Sequence, residues 1–159
     1  MDQPIIRKLL AIQESQDQIA RFFSVFQDIG TEDLTKKSAV ADELLSLFHP
    51  QFKLVVDDGV EVSEATDRES MHNIAGFLSE SPADVLVGAP MLHSYADNAG
   101  EVEIMMKGVC NFVINTVGKY AGQLVVTRNE YTLKGKVESL KFCYLKISVM
   151  SEHIFRQSQ

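Results

Sequence analysis

The 159-residue chain reads as an α+β protein: three helices come first, and a long, mainly antiparallel sheet follows, with the helices packed on one face of it. Three observations predict this. Up to about residue 82 the apolar residues recur at helical steps, and beyond it they alternate and become β-branched. The second half is punctuated by turn chemistry at Asn98-Ala99-Gly100, Val117-Gly118-Lys119 and Lys134-Gly135-Lys136. Connections this short make neighbouring strands antiparallel. The length suits one domain over 1–159, which buries roughly 70% of its unfolded surface. The core is expected over about 14–150, with a helical extension at 1–13 and a tail at 152–159.

The first helical stripe is Ile5, Leu9, Ile12, Ile19, Phe23 and Phe26, in steps of four and three, with Gln16 in the slot that would complete it. It predicts one amphipathic helix, or a pair, ending near Gly30. Thr31 or Ser38 can cap a second helix with a buried face of Ala41, Leu44, Leu45 and Phe48, stopped by His49-Pro50. Phe52–Val56 and Val60–Val62 flank Asp57-Asp58-Gly59 as a short hairpin. Thr66 and Glu69 have the spacing of a capping box for a third helix, whose stripe is Met71, Ile74, Ala75 and Leu78. Ser81-Pro82 closes it.

Four long strands are expected at about 85–95, 101–115, 120–133 and 137–151. Residues two apart in a strand share a face. His93 thereby falls in with Val85, Val87, Ala89, Met91 and Tyr95, although Pro90 suggests an edge or a bulge in that strand. The second strand separates cleanly. Val102, Ile104, Met106, Gly108, Cys110, Phe112 and Ile114 form an inner wall, against an outer set dominated by Glu101, Glu103, Lys107 and Asn111. In the third, Gln123, Val125, Thr127, Asn129 and Tyr131 oppose Tyr120, Leu124, Val126 and Arg128. The fourth sets Leu140, Phe142, Tyr144 and Lys146 against Cys143, Leu145, Ile147 and Val149. Both faces are partly apolar, which predicts helices on one side and a second subunit on the other.

Composition narrows the function. With 45% hydrophobic and 23% charged residues the chain is an ordinary globular protein. A net charge of −7 and scattered basic residues argue against nucleic acid as a partner. There is no apolar run long enough for a membrane span and no basic-then-apolar leader at Met1-Asp2-Gln3-Pro4, so a cytoplasmic protein is expected. Cys110 and Cys143 make no C-x-x-C pair and read as free thiols. The histidines at 49, 72, 93 and 153 have no metal-ligand spacing, and there is no nucleophile elbow or phosphate-binding glycine loop. Neither a metal nor another cofactor is expected.

The remaining candidates are individual polar side chains. His93 reads either as a pocket-lining acid/base near neutral pH or as a histidine satisfied within the core. Asp57 is a turn residue or a general base. Tyr95 and Tyr120 either line a pocket or pack with their hydroxyls reaching water. His49 and His72 read as structural.

The order of these elements resembles the nuclear transport factor 2-like superfamily, which includes ketosteroid isomerase, scytalone dehydratase and the SnoaL-like polyketide cyclases. The likeness spans roughly residues 14 to 150. Leu44-Leu-Ser-Leu-Phe48, Phe52-Lys-Leu-Val-Val-Asp-Asp-Gly59 and the capped helix from Asp67 are similar to the family's opening. Met91-Leu-His-Ser-Tyr95, a turn, and Glu101-Val-Glu-Ile104 look like the SnoaL-like strand that places a histidine in the cavity. Gly118-Lys-Tyr120 and Lys136-Val-Glu-Ser-Leu140 sit where those families carry a Gly-x-Tyr entry and a final strand. The resemblance implies a cone-shaped, cystatin-like α+β barrel, in which three N-terminal helices pack on a curved sheet around an apolar cavity. In the isomerase pattern the general base falls at Asp57 and the second acid near Asn129. The oxyanion-hole tyrosine falls near Phe22, which has no hydroxyl, so ketosteroid isomerase chemistry itself is not expected.

The expectation is therefore a domain that binds a small hydrophobic molecule, or a SnoaL-like isomerase, cyclase or dehydratase working by proton transfer. His93 and Asp57 would be the catalytic residues, and Tyr95, Tyr120, Met106, Phe112 and Asn129 the ligand contacts. A homodimer is expected through the outer sheet face. The alternative is a non-catalytic dimerisation or protein-interaction module, its interior plugged by Met91, Met106, Phe112 and Phe142.

Overall fold

A computed structural model describes residues 3–29, 37–78, 83–114 and 123–156. In chain order the elements are α1 (Gln3–Ile29), α2 (Lys37–Ser46), β1 (Phe48–Asp57), β2 (Val62–Ala65), α3 (Arg68–Leu78), β3 (Ala83–Val87), β4 (Met91–Asn98), β5 (Glu101–Ile114), β6 (Gln123–Gly135) and β7 (Lys141–Arg156). One 3-10 turn, Val137–Ser139, joins β6 to β7. The strands form one sheet in the order β2-β1-β7-β6-β5-β3, and β4 shares the β5 edge with β3. β1 runs parallel to β7, and every other pair is antiparallel. Three helices on a mixed, curved, open sheet make an α+β cone. Strand pairing reaches Arg156, within the stretch expected to be a tail.

The first stripe forms a single helix, and its expected face is buried at Ile19 and Phe23 with Ile12 packed partly against the core, whereas its first turns, in the expected extension, are not. Ala11, Ser15, Ile19, Phe22 and Phe23 are buried, while Ile5 and Leu9 are 58% and 61% exposed. The early turns of α1 are held by polar contacts instead. Arg7 Nε donates to Asp97 Oδ2 at 2.7 Å, and Lys8 Nζ lies 5.8 Å from the Tyr95 ring centre. Further along, Phe22 and Phe23 meet edge to face at 5.0 Å. Phe22 packs on Phe48 and Phe142, and Phe23 on Phe112 and Tyr131. Each such ring contributes roughly 1.5–3 kcal/mol by burial. This aromatic cluster joins helix to sheet.

Local signals account for the turns and caps. At the β1–β2 hairpin Asp58 Oδ1 accepts from the Val60 and Glu61 amides, and Asp57 Oδ1 accepts from the Gly59 amide, each at 2.9 Å. The α3 cap is one residue later than Thr66 and Glu69 suggested. Asp67 Oδ1 accepts from the Ser70 amide at 2.8 Å, and Ser70 Oγ accepts from the Asp67 amide at 3.1 Å. Phe48, expected to end α2, instead opens β1, and Leu47 is buried in the turn between them. The possible cap at Thr31 and the stop at Ser81-Pro82 lie outside the described residues.

Three departures in the sheet decide where side chains point. The expected strand over 85–95 is broken at Gly88–Pro90, because the Gly88 amide donates to Val109 O at 2.9 Å and the chain there turns hard against β5. A Cβ at position 88 would lie 2.5 Å from that same oxygen, so only glycine fits. The second departure is a bulge at His93. Leu92 pairs with Met106 but Ser94 pairs with Met105, leaving His93 as the extra residue. The third is a like bulge at Cys143, between the Leu133–Phe142 and Thr132–Tyr144 pairs. Phe142 and Leu145 are therefore both buried, although a strict alternation puts them on opposite faces.

Candidate functional site

The inner wall on β5 is as the alternation predicts. Val102, Ile104, Met106, Cys110 and Phe112 are all buried. Pairing with β6 stays in register throughout, so Cys110 faces Thr127, Gly108 faces Asn129 and Met106 faces Tyr131. Each pair projects onto the same side of the sheet. Charged residues of these strands occupy the other side, where Lys107 and Glu130 form a loose ion pair at 3.9 Å.

A polar cluster sits within this apolar wall. Asn129 is wholly buried, and its Nδ2 donates to Tyr131 Oη at 2.9 Å and to Cys110 Sγ at 3.0 Å. The sulfur and the phenol oxygen are 3.9 Å apart. Asn129 Oδ1 is buried with no hydrogen-bond partner among the described residues, and so is Thr127 Oγ1, two positions along the same row. Burial favours the protonated forms of both groups, strongly for the Tyr131 phenol and in the same direction for the Cys110 thiol. The cluster is a set of neutral donors and acceptors, so Cys110 is no thiolate nucleophile in this setting.

The other expected site residues are distributed as follows. His93 is exposed at its bulge, which corrects the expected inward imidazole: the extra residue breaks the alternation that linked it to Tyr95. Asp57 is half-buried, and its carboxylate holds the Gly59 amide in the β1–β2 turn. Three strands, β7, β6 and β5, lie between β1 and β4 in the sheet, so the expected pair of His93 and Asp57 belongs to separate parts of it. Tyr95 packs against the core, and burial raises its phenol with the Asp97 carboxylate adding to the effect. Met106 and Phe112 are buried in the inner wall as the β5 alternation predicts, and Asn129 is buried on β6 opposite Gly108. Met91, expected as an interior plug, is 74% exposed because β4 lies at the open edge. Tyr120 lies outside the described residues.

His72 and His49 are structural. His72 Nε2 lies 3.1 Å from Asp42 Oδ1, whose carboxylate Arg68 also grips through two bonds of 3.0 Å. These partners hold the Asp42 carboxyl below its ordinary range. His49 Nδ1 accepts from the Gln51 amide. Cys110 and Cys143 are both free thiols. No group of three metal-ligating side chains occurs among the described residues, and none of the described helices is long and apolar enough to cross a membrane.

Known structures decide the fold. An NTF-2 like protein of unknown function from Pseudomonas aeruginosa superposes with a TM-score of 0.58 at 14% identity, over 85% of this chain and 97% of that one. A type 2 hexachlorocyclohexane dehydrochlorinase (LinA) gives 0.59 at 12% identity, over 94% and 93%. The chain has the nuclear transport factor 2-like fold. A member of that superfamily from Salmonella enterica gives 0.55 at 10% identity, over 94% and 92%. No protein-family model matches the sequence, and no curated protein matches it significantly. At these identities the nuclear transport factor 2-like likeness is one of architecture, and the residues of the site are this chain's own.

Tyr131, Cys110 and Thr127 are the site residues that the sequence reading did not select. The signal for them was present. Three consecutive odd positions of β6 carry Thr127, Asn129 and Tyr131, opposite the apolar row of β5.

Proposed function

We propose that this chain is a small-molecule-binding domain whose ligand sits against the β5–β6 inner wall at Asn129, between Met106, Phe112 and Tyr131. One observation carries the reading: the wholly buried Asn129, whose Oδ1 has no partner among the described residues, set in a mostly apolar wall. A buried acceptor without a partner costs about 1–3 kcal/mol, and a bound ligand that donates to it recovers that energy. Sites of this kind are mostly apolar with a few placed polar groups. The dehydrochlorinase of the same fold acts on hexachlorocyclohexane, a small apolar molecule, which supports the reading at the level of fold. Binding is favoured over proton-transfer catalysis. The inner wall has no carboxylate or imidazole among the described residues, and its phenol and thiol stay protonated.

A thermal-shift panel of small aromatic and alicyclic compounds tests this. A ligand at about a hundred times its Kd adds about 2.7 kcal/mol to folding, or roughly 5–11 °C for a chain of this size. A panel that leaves the melting temperature unmoved, together with an undisturbed Asn129 side-chain amide signal in NMR, overturns the reading.

A second observation favours a homodimer through the outer sheet face. Val109 is 44% exposed there, beside half-buried Met105, Val113, Leu124 and Val126. A second copy would cover this row. Sedimentation at micromolar concentration is expected to give a dimer that Val109→Lys dissociates, and a clean wild-type monomer rejects it. If the probe panel fails while the dimer stands, the chain is the non-catalytic interaction module instead.

A further inference from the structure

From the placement of two unpaired oxygens we infer the ligand's chemical class, an inference that rests on the binding site proposed above: an uncharged, largely apolar molecule bearing a hydroxyl group, seated between Asn129 Oδ1 and Thr127 Oγ1. Both atoms are buried and without a partner among the described residues. They belong to one row of β6, two residues apart, on backbone positions about 6.8 Å apart along the strand. A hydroxyl about 2.8 Å from each oxygen reaches across about 5.6 Å at most, so it bridges the pair once the two side chains lean toward each other by about 1 Å. Its chemistry fits both ends. The hydroxyl donates to the amide oxygen, which only accepts, and accepts from the threonine, whose own proton is free to rotate toward it.

Charge selects further. Asn129 and Thr127 stand among Val125, Tyr131, Cys110 and Phe112, all buried and none ionised. Lys107, Arg128 and Glu130 of the same two strands project to the other side. A carboxylate or ammonium placed on the inner wall would lose its hydration with no counter-charge to replace it, so charged analogues are rejected. Gln123 Oε1 is a third buried, unpaired acceptor on the same row, four residues from Thr127. The row is a polar track in an apolar wall, and it discriminates by hydrogen bonding. A site built to bond a hydroxyl discriminates strongly against the analogue that lacks it.

Three probes of one shape test the class: p-cresol, p-xylene and p-toluate, titrated by calorimetry into the full chain and into Asn129→Leu and Thr127→Val. The expected result is cresol binding at least about tenfold tighter than xylene, with no measurable toluate binding. Asn129→Leu should erase the cresol preference while xylene binds as well or better, and Thr127→Val should reduce it. Equal affinity for cresol and xylene in the wild type overturns the hydroxyl inference and leaves the pocket intact. Tight toluate binding overturns the neutrality of the ligand. A cresol preference that survives in Asn129→Leu places the hydroxyl elsewhere and overturns the assignment. If none of the three binds, the binding site itself is rejected. Thr127→Val removes a buried hydroxyl that has no partner among the described residues and breaks no bond, so it keeps the test open should Asn129→Leu fold poorly.

Discussion

Replacing Asn129 separates two costs that the wild type balances. The side chain contributes two hydrogen bonds, to Tyr131 Oη at 2.9 Å and to Cys110 Sγ at 3.0 Å. Losing them costs about 1–3 kcal/mol together, since a neutral bond is worth about 0.5–1.5 kcal/mol net. The same side chain leaves Oδ1 buried and unpaired, and removing it returns about 1–3 kcal/mol. Asn129→Leu has a similar shape, and Tyr131 Oη and Cys110 Sγ, already 3.9 Å apart, are left to pair with each other. The terms nearly cancel, so its stability should lie within about 1 kcal/mol of wild type. Asn129→Ala gains the same relief but opens a void and should cost about 2–3 kcal/mol, roughly 4–12 °C in Tm. Urea unfolding with unchanged m-values reads both differences. A loss above about 2 kcal/mol for the leucine variant refutes the reasoning, because the amide oxygen would then have a partner that the folded protein depends on.

Three further outcomes follow from geometry. Ala99 sits at φ 53° beside Gly100 at φ 91°, the type I′ pair of the β4–β5 hairpin, so Ala99→Asn should stabilise by about 0.5–1 kcal/mol and an unchanged urea midpoint would count against that turn. Gly88→Ala drives a Cβ to 2.5 Å from Val109 O and should cost about 1–3 kcal/mol, with faster amide exchange along β3; wild-type stability would mean the β3–β4 break is not tight. Burial raises the Cys110, Tyr95 and Tyr131 groups, so the folded chain keeps protons that the unfolded chain releases above about pH 8.5 and 10. Their contribution is intact below those values and declines as pH rises past them. At the acid end Asp42, Asp67 and Asp97, held low by Arg68, Ser70 and Arg7, contribute above about pH 4 and lose it as pH falls. A urea midpoint flat from about pH 7 to 10 would contradict the alkaline half.

Much of this arrangement was legible in the residues. The Asp58-Gly59 and Ala99-Gly100 turns followed from residue type, and the inner row from Val102 to Phe112 from simple alternation in a strand whose pairing to β6 never slips. What alternation cannot register is an inserted residue. His93 and Cys143 each add one residue to a strand, and one residue flips every later side chain to the other face. Nothing about a histidine or a cysteine marks such a bulge, since the partner strand decides it. Asn129 was selected for its position, but the reason it matters, an amide bonded at one end only, depends on Tyr131 and on Cys110 from another strand. The first turns of α1 differ in another way: Arg7 and Lys8 meet Asp97 and Tyr95 there, while Ile5 and Leu9 stay outside.

The parallel pairing of β1 with β7 has a consequence in time. Phe48 lies beside Phe142, and Val55 beside Lys146, so about ninety residues separate the partners in the chain. Ribosomes add about 5–20 residues each second, so the β1 edge that β7 will occupy waits about 5 to 20 seconds after it emerges. Through that interval it offers open amides and carbonyls to any extended neighbour, the condition under which nascent strands aggregate. Closing the loop then costs about 4 kcal/mol in chain entropy before any contact repays it. The protein is thus expected to fold late and slowly, and to be most vulnerable while it is being made.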